Sequence, residues 1–120
     1  MPNDCTNMMT IAADTVELNE LIQNEFMIYG TDHFNSRVTV IRRGPGAIEL
    51  KLWSAWHPDF DWLAGLLTKY PSCWVKNEWY EEGGNAGVWI GYTHEKTPTI
   101  KRLEWGDMCL EEFAHRFGNV

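Results

Sequence analysis

A chain of 120 residues and 13.9 kDa has room for one domain, so residues 1–120 are read as a single folding unit, large enough to bury a core. With 44% apolar and 22% charged residues, seven Trp, five Phe and four Tyr, the composition excludes a disordered chain. A formal charge of −7, with ten Lys and Arg spread along the chain, disfavours binding to a phosphate backbone and suits a partner with a basic surface.

Residues Cys5 to Ala13 mix Met8, Met9, Ile11 and Ala12 with threonines and read as a strand. Asp14-Thr-Val-Glu17 has the pattern of a capping box, and Leu18, Leu21, Ile22 and Phe26 recur at helical spacing, which predicts an amphipathic helix. Residues 31–36 read as a loop. Alternation from Val38 to Arg43, a Gly44-Pro45-Gly46 break and renewed alternation from Ala47 to Trp53 then predict a hairpin. A second helix is expected between His57 and Pro71: Pro58 suits a first helical position, Asp59 and Asp61 the positive end of the dipole, Lys69 the negative end. Its apolar stripe is Trp62, Leu63, Leu66, Leu67 and Tyr70. Strands follow at Cys73–Glu81, Ala86–Thr93 and Thr99–Glu104. A closing helix is predicted from Met108, Leu110, Phe113, Ala114 and Phe117. The first six elements have the ferredoxin-like βαββαβ order, an α+β sandwich with helices on one face of an antiparallel sheet, here with a C-terminal strand and helix extension.

Cys5, Cys73 and Cys109 are odd in number and widely separated, with no CxxC pair, so neither a disulfide framework nor a zinc site is expected. His33, His57, His94 and His115 form no metal-ligand pair, and the glycines near position 84 do not lead a strand into a helix as a nucleotide loop would. No cofactor and no metal are expected. The N-terminal residues lack a positive region followed by an apolar core, and no apolar run reaches membrane-spanning length, so a soluble, cytoplasmic protein is expected.

The central block Trp53-Ser-Ala-Trp56-His57-Pro58 with Trp62, then Tyr70-Pro71, then Tyr80-Glu81-Glu82-Gly83 with Ala86-Gly87 resembles the YubB-type ferredoxin-like domain family of phage and plasmid proteins of unknown function. The opening residues Met1 to Asn7 are similar as well, although Asp4 stands where that family usually has tryptophan. One of the family's paired prolines before the second helix is replaced here, by His57 or Asp59. The resemblance implies a ferredoxin-like fold and a mobile-element origin, hence a host-cytoplasm location if the gene is phage-borne. It brings no catalytic residues.

Residues 78–91 join two aromatic-rich, acidic runs through a glycine-rich corner. On a strand Glu78 and Tyr80 share one face while Trp79 and Glu81 share the other, so a convergent acid pair is not specified. A carboxylate cluster of Glu78, Glu81 and Glu82 completed by Glu104 or His94 would make a metal-dependent hydrolase, and rings on a ferredoxin-like sheet would suit single-stranded nucleic acid or inhibition of a host nucleic-acid enzyme. The expectation adopted is a small acidic, non-catalytic protein-interaction module. Its candidate contact residues are Trp56, His57, Glu78, Trp79, Tyr80, Glu81, Glu82 and Trp89, with the rings as anchors and the glutamates matching a basic partner.

Overall fold

The computed structural model describes residues 3–105. They form β1 (Asp4–Ala12), α1 (Thr15–Glu25), β2 (Val38–Arg43), β3 (Ala47–Ala55), α2 (Phe60–Lys69), β4 (Trp74–Glu81), β5 (Ala86–His94) and β6 (Thr97–Trp105). The strands make one open antiparallel sheet in the order β2-β3-β1-β4-β5-β6. The chain is therefore α+β with six strands and two helices among the described residues, and its sheet runs two strands beyond a four-strand layout. The closing helix expected around Met108–Phe117 and the third cysteine, Cys109, lie outside the described residues. No described helix is long and apolar enough to cross a membrane.

Strand alternation sorts the side chains into two unlike faces. In β1, Cys5, Asn7, Met9 and Ile11 are buried while the residues between them are partly exposed; in β4, Val75, Asn77, Trp79 and Glu81 repeat the pattern. Pairing of Met9 with Leu50 on one side and Asn77 on the other keeps these inward positions in register across β3, β1 and β4. Leu18, Leu21 and Ile22 of α1 and Leu63, Leu66 and Leu67 of α2 close over them, joined by Phe26, Tyr70, Ile48, Leu50 and Trp89, to form one core. The opposite face carries no helix among the described residues.

The helix starts differ from the sequence expectation in an instructive way. Asp14 precedes α1 but makes no side-chain cap, and Glu17 does not fold back on it. Instead the Ser72 hydroxyl donates to Glu17 (2.9 Å) and accepts from the Asp14 N–H (3.0 Å), so a residue from the α2–β4 turn completes a cap that the local motif leaves open. Pro58 is not the first helical residue. Asp59 is the N-cap, its carboxylate accepting from the Trp62 N–H at 3.0 Å, and Pro58 lies buried one position earlier.

The β5–β6 turn is made by Glu95 and Lys96, both at positive φ (50° and 66°). Two such residues match the right-handed twist of the strands, yet neither is Asn or Gly, so the hairpin had no sequence signal and β6 begins earlier than the alternation suggested. Pro98 is accommodated because β6 is an edge strand. Two glycines make room for indoles: a Cβ on Gly91 would stand 2.4 Å from the Trp89 ring, and one on Gly87 would stand 2.6 Å from the Leu103 carbonyl oxygen and 2.9 Å from the Trp79 ring. Gly87→Ala is expected to cost about 1–3 kcal/mol in urea unfolding, because backbone and a buried ring must both move. Gly65→Ala in α2, where a new Cβ meets nothing within 4 Å, is expected to stabilise by up to about 1 kcal/mol.

Candidate functional site

The corner between β4 and β5 is organised by Glu81. Its carboxylate is only 4% exposed and accepts from the Gly83 N–H (2.8 Å), the Asn85 N–H (3.3 Å), the Asn85 amide (2.8 Å) and the Asn3 amide (3.1 Å). Burial alone pushes this carboxyl up, but the hydrogen bonds from Gly83, Asn85 and Asn3 outweigh it and hold Glu81 below its ordinary value. Glu82, by contrast, is exposed and accepts from the Asp4 N–H at 2.9 Å, while its own N–H donates to the Asp4 carbonyl. The two neighbouring acids thus have different jobs: Glu81 ties the corner, and Glu82 faces outward at the end of β1.

Beside this corner lies an open groove of about 540 Å³ lined by Trp56, His57, Phe60, Trp79, Asn85, Arg102, Glu104 and Trp105. Its elements come from three directions: the exit of β3, the first turn of α2, and the helix-facing side of β4 and β6. Trp56 stands at φ +68° and is 55% exposed. A bulky residue in the left-handed region is strained. It is held there by the Trp56 N–H donating to the Asn3 carbonyl and the His57 N–H donating to the Ala55 carbonyl, both at 2.8 Å. His57 Nδ1 lies 2.7 Å from the Pro58 carbonyl oxygen, which can only accept, so Nδ1 carries the proton and Nε2 of the neutral ring is the acceptor. The imidazole stacks on Phe60 (centroids 6.0 Å apart, planes 6° from parallel), and the Arg102 guanidinium sits 3.5 Å from the centroid of Phe60 while pairing with Glu104.

Trp79 closes the groove from below, edge-on to Phe60 at 6.1 Å. Its Nε1–H is buried without an acceptor among the described residues. The groove therefore offers apolar ring area and one stacked guanidinium with its carboxylate.

Three of the expected contact residues need correction. Trp79 and Trp89 are buried at 4% and 2% exposure, Trp89 because it fills the core over Gly91 and Leu67, so neither is an exposed anchor. Glu81 is consumed internally and presents no free carboxylate to a partner. Trp56, His57 and Trp79 do come together in the groove. Glu78 and Tyr80 lie on the other sheet face, where Glu78 pairs with Lys76 at 3.1 Å. The carboxylate–imidazole cluster considered for a hydrolase does not assemble: Glu78 and Glu81 point to opposite faces, and His94 ends β5 at the far end from Glu81. Among the described residues no group of three or more His, Cys, Asp or Glu could hold a metal ion.

Phe60, Arg102 and Trp105 were not anticipated. For Arg102 the sequence signal is the parity of β6, which pairs it with inward-facing Trp89 as it pairs Glu104 with Gly87. Cys5 and Cys73 are free and buried, and burial first of all raises both thiols to about 11, which makes them inert packing groups at neutral pH. No protein-family model, curated protein or solved structure matches the chain.

Because the folded pKa of Glu81 is depressed, its contribution to stability is fully present above the ordinary carboxylate value and is lost as pH falls through the folded value. Glu81→Gln is expected to destabilise by about 1–3 kcal/mol at pH 7. The gap to the parent protein should narrow in denaturant titrations as pH falls from the ordinary carboxylate range through the depressed folded value, below which the parent carboxyl is neutral too.

Proposed function

We propose that this chain is a non-catalytic protein-interaction module that engages the basic surface of another protein through the aromatic groove. The observation that carries this reading is Trp56, an indole held outward at strained backbone at the mouth of the groove. Strain of this kind persists where the surrounding structure over-determines it, and it clusters at sites that bind. A rigid aromatic anchor next to a stacked guanidinium is the composition of an interface hot spot. Exposed Glu82 and the chain's charge of −7 supply attraction and steering toward a basic partner.

A ferredoxin-like core with a two-strand extension is the fold reading that accompanies this proposal. It is supported by the βαββαβ order of the first six elements and by β2-β3-β1-β4 as neighbours in the sheet. The YubB-type resemblance, with its mobile-element origin and host-cytoplasm location, belongs to the same reading and rests on the Trp53–Gly91 motifs.

A second reading is favoured by one specific feature of the other sheet face. Strand register sets Trp53, Tyr80, Trp74 and Tyr92 on that face together with Lys51, Lys76 and Lys101, and Trp53 and Trp74 are exposed. Rings interleaved with lysines on an open sheet suit single-stranded nucleic acid, against the net charge of the whole chain.

Trp56→Gly separates binding from folding. Glycine adopts positive φ freely, so relief of about 1–2 kcal/mol of backbone strain offsets the lost ring contacts and added chain entropy, and the melting temperature should stay close to that of the parent. Capture of basic proteins from a bacterial lysate should fall at least about tenfold, the scale of one lost anchor. Unchanged capture would refute the groove as the contact surface. Salt-dependent binding of an oligonucleotide by both proteins would favour the second reading.

A further inference from the structure

Between the two helices, away from the groove, the inward face of the sheet carries two asparagines where apolar residues would be expected. Asn7 and Asn77 are each 1% exposed. Asn7 donates both amide hydrogens, to the Leu52 carbonyl at 3.0 Å and the Ser54 hydroxyl at 2.9 Å, and accepts at Oδ1 from the Asn77 amide at 2.9 Å. The Leu52 carbonyl can only accept, so it fixes which end of Asn7 is nitrogen. Asn7 in turn fixes Asn77. The carbonyl oxygen left over, Asn77 Oδ1, is buried and has no donor, an arrangement that costs about 1–3 kcal/mol unless something occupies it. Asn77 also retains one amide hydrogen beyond the one given to Asn7.

Both asparagines line a partly open cavity of about 130 Å³. That is roughly ten times the space one water needs by the same measure, room enough for a small molecule, and polar residues such as Asn35, Ser54 and Asp59 share the lining with apolar ones. Phe26 and Trp62, edge-on to one another at 5.7 Å, form the aromatic part of the wall. Glu25 also borders the cavity but is already committed, accepting from Trp62 Nε1 at 2.8 Å and from the Tyr70 hydroxyl at 2.9 Å, with Lys69 at 3.5 Å. At the mouth stands Arg37, exposed, with a guanidinium that makes no ion pair among the described residues. A donor must meet Asn77 Oδ1 inside, a flat body suits the aromatic wall, and an anion suits the entrance.

We propose that this cavity binds a small planar lactam bearing an anionic group, of pyrimidine-nucleotide type. Its ring N–H donates to Asn77 Oδ1, its neighbouring carbonyl takes the remaining Asn77 amide hydrogen, and its phosphate pairs with Arg37. The site shares no residue with the groove, so it stands or falls independently of the protein-interaction reading.

The test titrates ¹⁵N-labelled protein with uridine 5′-monophosphate and with uridine. Both are expected to shift the side-chain amide signals of Asn77 and Asn7 and the Trp62 Nε1–H signal. Arg37→Ala should weaken the monophosphate by about tenfold while leaving uridine unchanged, as loss of one charge-assisted contact would. Asn77→Leu should abolish binding of both. If Asn77→Leu does not fold, the surface variant Arg37→Ala and the pattern of shifted signals still decide. Absence of shifts at millimolar ligand, shifts confined to other residues, or an Arg37→Ala protein that binds both compounds like the parent would overturn the proposal.

Discussion

One-sided burial of an antiparallel sheet governs this molecule. Because side chains alternate along each strand, the parity of a residue decides whether it meets a helix or open surface. Cys5, Asn7, Met9 and Ile11 in β1, and Val75, Asn77, Trp79 and Glu81 in β4, all fall on the covered side. A slip of one residue would bury Lys76, Glu78 and Tyr80 instead, at a desolvation cost the small core could not offset. The sites follow from the same constraint. Trp79 floors the groove and Asn77 faces the cavity because both share parity with core residues, whereas Glu78 and Tyr80 cannot join them.

Polar atoms on the covered side are the points where sequence and fold are in tension. Glu81 resolves it completely, its four donors turning a buried charge into the organiser of the β4–β5 corner. Gly83 belongs to that solution: a Cβ there would stand 2.7 Å from the Glu81 carboxylate. Asn77 and Trp79 do not resolve it, each leaving one buried polar atom without a partner. Buried groups of this kind are rare in native proteins, and each asks for a physical explanation. Asn77 lines the cavity and Trp79 lines the aromatic groove.

Much of the fold was legible because it depends on local pattern. Both helices and all six strands of the described region were anticipated, and the split of Glu78 and Tyr80 from Trp79 and Glu81 follows from period two alone. Gly87 and Gly91 clear space for the indoles of Trp79 and Trp89. What could not be read was contact between distant segments: Ser72 completing the cap of α1, Arg102 reaching Phe60, and Asn3 steadying both Trp56 and Glu81. The exposure of aromatic residues was misjudged for a related reason. Trp79 and Trp89 belong to the aromatic, acidic hairpin expected to carry the contact surface, but α2 covers Trp89 and the Phe60 edge covers Trp79. Asn7 and Asn77 carried a signal that went unused, because asparagine at an inward strand position is itself a departure from what strands favour.

The central claim is that strand parity sorts the tryptophans into core and presented rings, with Trp56 kept outward at the groove. Incorporating 5-fluorotryptophan and comparing ¹⁹F shifts in H₂O and D₂O, with each signal assigned by single Trp→Phe replacement, tests it directly. The account predicts a clear solvent isotope shift for Trp56 and Trp53 and none for Trp79 or Trp89. A solvent-exposed Trp79 or Trp89, or a Trp56 signal indifferent to solvent, would contradict it.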